Sequence, residues 1–134
     1  MDVVGTLFFK DKKLWIDKPR KRPTYQMIGG KVEEGETPLE AAIRECHEEL
    51  GDDAIFDSSL IELVMEFDEI STNDGVTNLH FYVFKYNGEL KGNLSLSEEI
   101  EDFKWYETAD GDEILSNALK NKVIPYCLKN NLIN

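Results

Sequence analysis

Short apolar runs broken by polar turns dominate the first third of the chain. Val3 to Phe9 and Leu14 to Ile16 are β-branched and aromatic, and Lys10-Asp11-Lys12-Lys13 between them suits a hairpin turn, so two strands are predicted. Lys18 to Arg22, with Pro23 next, brings two prolines and four basic residues and reads as an exposed loop. Tyr25 to Ile28 resumes the extended pattern and ends in Gly29-Gly30. After the helical segment described next, Leu60 to Ile70 and Thr77 to Tyr86 read as strands around Asn73-Asp74-Gly75, and Phe103 to Tyr106 as another. Ile114, Leu115, Ala118 and Leu119 have helical spacing, and Tyr126 to Leu132 predicts a last helix after Pro125. Strands, one strong internal helix, more strands and a terminal helix predict an α+β domain with α/β/α layers and a mixed sheet, with residues 1–134 forming one domain.

The internal helix is the best-marked element. Thr37-Pro38 supplies an N-cap and a proline at the first helical position, Glu40 stands three residues after the cap, and Gly51 can end the helix, which predicts residues 38 to 50. At 100° per residue Leu39, Ile43, Cys46 and Leu50 form one stripe, the expected core face. Glu45, Glu48 and Glu49 then gather on the other side at i, i+3, i+4 spacing, flanked by the small Ala41 and Ala42. Like charges repel at this spacing, and the last turn carries the negative end of the helix dipole, so helix stability alone would not select the arrangement. A hard divalent cation reverses both effects, because Mg²⁺ binds a few carboxylates together with water and phosphate oxygens.

Composition sharpens this. The chain is 41% apolar and 31% charged with apolar positions spread throughout, which favours a folded, soluble protein. It lacks both a run long enough for a membrane span and the basic-then-apolar plan of a signal peptide, so a cytoplasmic location is expected. Cys46 and Cys127 lack metal or redox spacing and are expected to be reduced core residues. A net charge of −12 disfavours long nucleic acid and anionic membranes, and it means that a phosphorylated ligand needs a cation to mediate. From Glu33 to Asp53 the nine acidic residues are answered by Arg44 alone, whose planar guanidinium could hold a neighbouring carboxylate in one orientation. Gly29 and Gly30 allow close backbone approach.

Written out, Gly30-x5-Glu36-x7-Arg44-Glu45-Cys46-x-Glu48-Glu49-x-Gly51-Asp52 resembles the Nudix box almost position for position, and the flanking strands and terminal helix resemble the rest of a Nudix domain. Two positions depart from the pattern: Asp52 replaces the usual aliphatic residue, and Ile28 stands where many members have proline. The glutamates and the arginine are complete. The resemblance implies hydrolysis of a nucleoside diphosphate linked to another moiety, with Mg²⁺ or Mn²⁺ held by Glu45, Glu48, Glu49 and the Gly30 carbonyl, and with Glu36 supporting the loop through Arg44. It leaves the base open between Glu45 and a carboxylate elsewhere, Glu98 or Glu99, in the stretch where similar proteins often supply an extra metal ligand.

Lys18, Arg20, Lys21 and Arg22 are candidates for holding the phosphates, Asn117 and Asn121 for bonding a base edge, and Tyr25, Phe81 or Trp105 for stacking on it. His47 and His80 have no partners for nucleophilic catalysis and are assigned to structure. Within the family the chain looks most like MutT-type nucleoside triphosphatases, including those that act on oxidised guanine nucleotides of the 8-oxo-dGTP type, releasing a nucleoside monophosphate and pyrophosphate. A nucleotide sugar or dinucleoside polyphosphate is the alternative substrate, and a non-catalytic nucleotide-sensing domain the alternative role. Monomer and homodimer both remain open.

Overall fold

A computed structural model describes residues 1–134. In chain order the strands are β1 (Asp2–Leu7), β2 (Phe9–Lys10), β3 (Lys13–Pro19), β4 (Ile28–Lys31), β5 (Ala54–Ile55), β6 (Ile61–Ile70), β7 (Asn78–Tyr86), β8 (Lys91–Gly92) and β9 (Ile100–Tyr106); the helices are α1 (Pro38–Leu50) and α2 (Ile124–Lys129). The main sheet runs β4-β1-β7-β6, with β1 parallel to β7 and the other pairs antiparallel, so the sheet is mixed as the element order predicts. A second, antiparallel sheet runs β2-β3-β9, and β5 pairs with β8 in a small ribbon.

Side-chain alternation along the strands divides the core in two. Val4, Phe8 and Trp15 join Ile28, Cys46 and Leu50 beneath α1. Leu7, Leu14, Ile16 and Val83 join Leu119 and Val123 beneath the terminal helix. The sheets thus lie between two helical layers, and the acidic helix and the C-terminal helix occupy opposite sides.

The hairpin after β2 turns on Asp11 and Lys12, both with positive φ (52° and 58°), the conformation of a two-residue turn usually built with Asn and Gly. β3 extends beyond the expected Ile16 to Pro19, whereas the extended run expected from Tyr25 becomes ladder only at Ile28; Tyr25 and Gln26 make single bridges to Leu115 and Asp17. At the C-terminus the two expected helical pieces are one. Helix begins at Asn117, passes through a π-helical turn at Leu119–Val123 and continues as α2. Pro125 has no N–H and its ring would crowd a carbonyl one turn back, so the wider turn, in which the Ile124 N–H donates to the Leu119 carbonyl, lets the helix pass through.

Candidate active site

α1 is fixed at both ends as its sequence demands. The Thr37 hydroxyl accepts from the Glu40 N–H at 3.1 Å, the Glu40 carboxylate accepts from the Thr37 N–H at 2.9 Å, and the Gly51 N–H closes on the His47 carbonyl at 3.0 Å with φ at +91°. The helix is rotated from the expected orientation, however. Leu39 is exposed and Ile43 only half-buried, while Ala41, Ala42, Cys46 and Leu50 are fully buried. The two alanines have no bulk to hold the helix off the sheet, so the sheet-facing side includes Glu45 and Glu49, one and two turns further along; Glu48 alone of the three glutamates is exposed.

Facing them is the β4 double glycine. A Cβ on Gly29 would stand 1.9 Å from the Val4 carbonyl oxygen of β1, so only glycine permits the strand pairing there. A Cβ on Gly30 would stand 2.5 Å from Glu45 Oε1: the missing side chain is the recess in which the Glu45 carboxylate sits. Glu49 reaches back to the Gly29 N–H at 3.4 Å. Arg44 organises the outer edge. Its guanidinium donates twice to Glu36, at 2.8 and 3.0 Å, once to Glu45 at 2.9 Å, once to Glu48 at 3.2 Å and once to the Lys31 carbonyl at 3.0 Å. Glu36 also accepts from the Glu33 N–H at 3.0 Å, closing the loop before the helix.

Gly29, Gly30, Lys31, Glu45, Glu48 and Glu49 line a cleft of about 970 Å³. Arg20, Lys21 and Arg22 line it too, as do Ser97, Glu98 and Glu99. Arg20 staples the two segments together, its Nε donating to the Glu98 carbonyl at 2.7 Å and its N–H to the Glu99 carbonyl at 2.7 Å. The Ser97 N–H in turn caps the Glu49 carbonyl at 3.1 Å. The far end is lined by Ser71 to Asp74, Phe81, Ser116 and Ala118.

The remaining expected contacts are more dispersed. Lys18 is drawn into an ion pair with Glu101 and Tyr25 donates to Asp102, both away from the cleft lining. Asn117 donates to the Ile70 carbonyl at 3.1 Å and Asn121 to Glu69 at 3.2 Å, tying the terminal helix to the β6–β7 end. Trp105 packs edge-on against Trp15, and Phe81 stacks on Phe67 at the cleft wall. His47 packs on Phe56, and His80 lies between Glu66 and Asp68.

The NUDIX domain family model matches residues 1–127. The chain belongs to the Nudix family. It is a Nudix hydrolase, a pyrophosphohydrolase of nucleoside diphosphate-linked compounds, and hydrolases of this family generally use divalent metal ions. No curated protein matches the sequence. Among solved structures, the MutT NUDIX hydrolase from Burkholderia pseudomallei shares 22% identity at a TM-score of 0.72, over 89% of this chain and 92% of that one. The E. coli dihydroneopterin triphosphate pyrophosphohydrolase shares 21% at 0.69, over 96% and 95%. A bifunctional NMN adenylyltransferase/ADP ribose pyrophosphatase from Francisella tularensis, complexed with AMP and a Mn ion, shares 17% at 0.71 over 96% of this chain and 41% of that one. At these identities the likeness is one of fold. No helix is long and apolar enough to cross a membrane.

Within the Nudix box the carboxylates differ sharply. The Arg44 hydrogen bonds hold Glu36 down at about 2. Burial pushes Glu45 above its ordinary range despite Arg44, and burial followed by the charge of Asp17 pushes Glu49 well above it. Asp17, raised to about 6 by burial, has no role predicted from the sequence, where the expected strand ends at Ile16 and the expected loop begins at Lys18. The signal was present in the alternation: Asp17 continues the side of β3 that carries the buried Trp15. Cys46 and Cys127 are buried free thiols pushed up to about 12, as inert core residues should be.

The Nudix residues present fit a divalent cation. Glu49 Oε2 is a buried carboxylate oxygen with no hydrogen-bond partner, Glu45 lies in the Gly30 recess, and all the donors are hard oxygens. The cage is not closed: no three acidic, histidine or cysteine side chains converge on one point, and Glu45 and Glu48 are both hydrogen-bonded to Arg44.

Proposed function

We propose that this chain is a Mg²⁺- or Mn²⁺-dependent nucleoside triphosphate pyrophosphohydrolase that releases a nucleoside monophosphate and pyrophosphate, with oxidised guanine nucleotides of the 8-oxo-dGTP type among the candidate substrates. The observation that carries this reading is the cleft itself. Carboxylates of the box helix and the Arg20 to Arg22 segment line the same cleft, whose lining also includes Ser71 to Asp74, Ser116 and Ala118, where a base would be received. A volume of about 970 Å³ suits a whole nucleotide. The E. coli neighbour is a triphosphate pyrophosphohydrolase, and the Francisella neighbour is complexed with AMP and a Mn ion, which supports the class of ligand.

Glu45, Glu48, Glu49 and the Gly30 carbonyl would hold the cation, which when bound neutralises phosphate oxygens and lowers the cost of charge on the leaving group. Glu36 keeps Arg44 in place, and Arg44 orients Glu45 and Glu48. In the reaction a water oxygen forms a bond to phosphorus, the phosphoanhydride P–O bond breaks, and the water proton passes to a carboxylate. Glu45, seated in the Gly30 recess, is the proposed acceptor; Glu98 and Glu99, also in the cleft lining, are the alternatives. Arg20, Lys21 and Arg22 would steady the outer phosphates.

A panel of nucleoside triphosphates, nucleotide sugars and dinucleoside polyphosphates, assayed with Mg²⁺ and Mn²⁺ by phosphate release after added pyrophosphatase or phosphatase, tests the reading. Triphosphates are expected to turn over fastest, yielding pyrophosphate, and Glu49→Gln to lose at least about a hundredfold in kcat. Turnover without added metal in the presence of a chelator, or preference for a diphosphate linkage, would refute the corresponding part.

A further inference from the structure

Lysine rarely adopts a left-handed backbone, because its Cβ then crowds the following carbonyl oxygen, and turns that need this conformation usually take glycine or asparagine. Four residues other than glycine adopt it in this chain: Asp11, Lys12, Lys21 and Asn131. Asp11 and Lys12 make the β2–β3 hairpin turn, and Asn131 follows the end of α2, where such a residue is common. Lys21 differs in its place: of the four, it alone lines the cleft.

Backbone hydrogen bonds hold it there. Pro19 to Arg22 is a β-turn closed by the Arg22 N–H, which donates to the Pro19 carbonyl at 3.2 Å, and Lys21 is its third residue, with φ at +67°. That position of a type II turn is usually glycine. Arg20, the second residue, is fixed twice, its N–H donating to the Glu99 carbonyl and its Nε to the Glu98 carbonyl, both at 2.7 Å. The Ser97 N–H, in the same segment, donates to the Glu49 carbonyl at 3.1 Å, so the turn is tied through a few residues to the helix that carries the box glutamates. None of these bonds uses the Lys21 side chain. Lys18 pairs with Glu101, whereas the Lys21 ammonium has no ion-pair partner. Glycine would make the same turn without strain, and strain of this kind is characteristically kept where function uses it.

Resting on the triphosphate reading above, we propose that Lys21 is a specificity-determining residue: a strained turn, anchored to the Glu98 and Glu99 carbonyls, holds its ammonium in the cleft to bind the terminal, unesterified phosphate of the substrate. Such a phosphate carries nearly two negative charges at neutral pH, about one more than a phosphate bridged on both sides, and it suits the compact point charge of an ammonium. The contact selects substrates that end in a free phosphate, as nucleoside triphosphates do, over diphosphates capped by a sugar or a second nucleoside. It is made to the bound substrate as well as during the reaction, so it acts on KM more than on kcat.

The test combines steady-state kinetics of the whole chain on a nucleoside triphosphate, inhibition by the matching monophosphate, and thermal unfolding, for wild type, Lys21→Gly and, away from the cleft, Lys12→Gly. Lys21→Gly is expected to melt a few degrees higher than wild type and yet to raise KM for the triphosphate about tenfold with kcat unchanged. Inhibition by the monophosphate, which has no outer phosphate, should stay at the wild-type level. Lys12→Gly relieves the same strain and should raise the melting temperature alone, and Lys21→Arg, which keeps the charge, should keep the wild-type KM. Lys21→Asn, uncharged and tolerant of the left-handed backbone, provides the same comparison if the glycine variant does not fold. A wild-type KM in a folded, uncharged variant makes Lys21 a turn residue only and overturns its role, leaving the triphosphate reading standing. Equal weakening of the monophosphate also overturns it, since the effect would then not lie at the terminal phosphate. Failure of the wild-type chain to hydrolyse any nucleoside triphosphate overturns both.

Discussion

At Arg44 one guanidinium makes hydrogen bonds to three carboxylates and a carbonyl, and the planar fork to Glu36 is the part a lysine cannot reproduce. Arg44→Lys is expected to lower the unfolding free energy by about 1–2 kcal/mol, a figure held down by the partial exposure of the cluster, and to reduce kcat more than KM as Glu45 and Glu48 lose their orientation. Urea denaturation and steady-state kinetics check the two parts. Glu36 supplies a separate test through pH. Its carboxyl titrates near 2 when folded against an ordinary value of 4.5, so its ionised form stabilises the fold fully above about pH 4.5, and that contribution disappears as pH falls through about 2. Comparing urea unfolding of wild type and Glu36→Gln should show wild type ahead at pH 6 and the gap closing toward pH 2; a gap independent of pH would refute the pairing. These box residues were visible in the sequence because their identities and spacing are themselves the signal. Asp17 was not, since an aspartate followed by Lys18, Pro19 and Arg20 reads as part of a solvated loop until the length of β3 is known.

Among the elements, α1 was readable to the residue because its cap, its first-turn proline and its terminal glycine all agree. Its rotation was not. Hydrophobicity marks Leu39 as core, but the face that reaches the sheet is chosen by which residues are small enough to let the backbones approach, and Ala41 and Ala42 outweigh the larger leucine. The terminal helix was divided at Pro125 because a π-helical turn leaves no mark in a 3.6-residue pattern. β5 and β8, two residues each, are too short to show any period. The β2–β3 hairpin suggests an improvement the natural sequence does not use. Asp11 and Lys12 both occupy left-handed conformations that Asn and Gly adopt more readily, so Asp11→Asn combined with Lys12→Gly is expected to raise stability by about 1 kcal/mol, measured by thermal unfolding, with activity unchanged. A loss of stability would mean that contacts of the Lys12 side chain outweigh the turn.

Over the whole molecule, the net charge of −12 is not spread evenly, since a short basic segment shares the lining of one cleft with the acidic box. The seating of that basic segment could not be read from the chain, because Arg20 meets Glu98 only through the pairing of β3 with β9. The same is true of the main sheet. β1 is flanked by β4 on one side and by β7, parallel to it and more than seventy residues later, on the other. A chain emerging from the ribosome therefore carries the whole acidic segment well before the sheet that seats it can close, and the basic segment is stapled down only once β9 has been made. Contacts this distant in sequence form slowly, because long loops must close before they are rewarded. Thirteen residues are too few to hold a helix firmly without a sheet to pack on, so the box glutamates are gathered only when that sheet seats them.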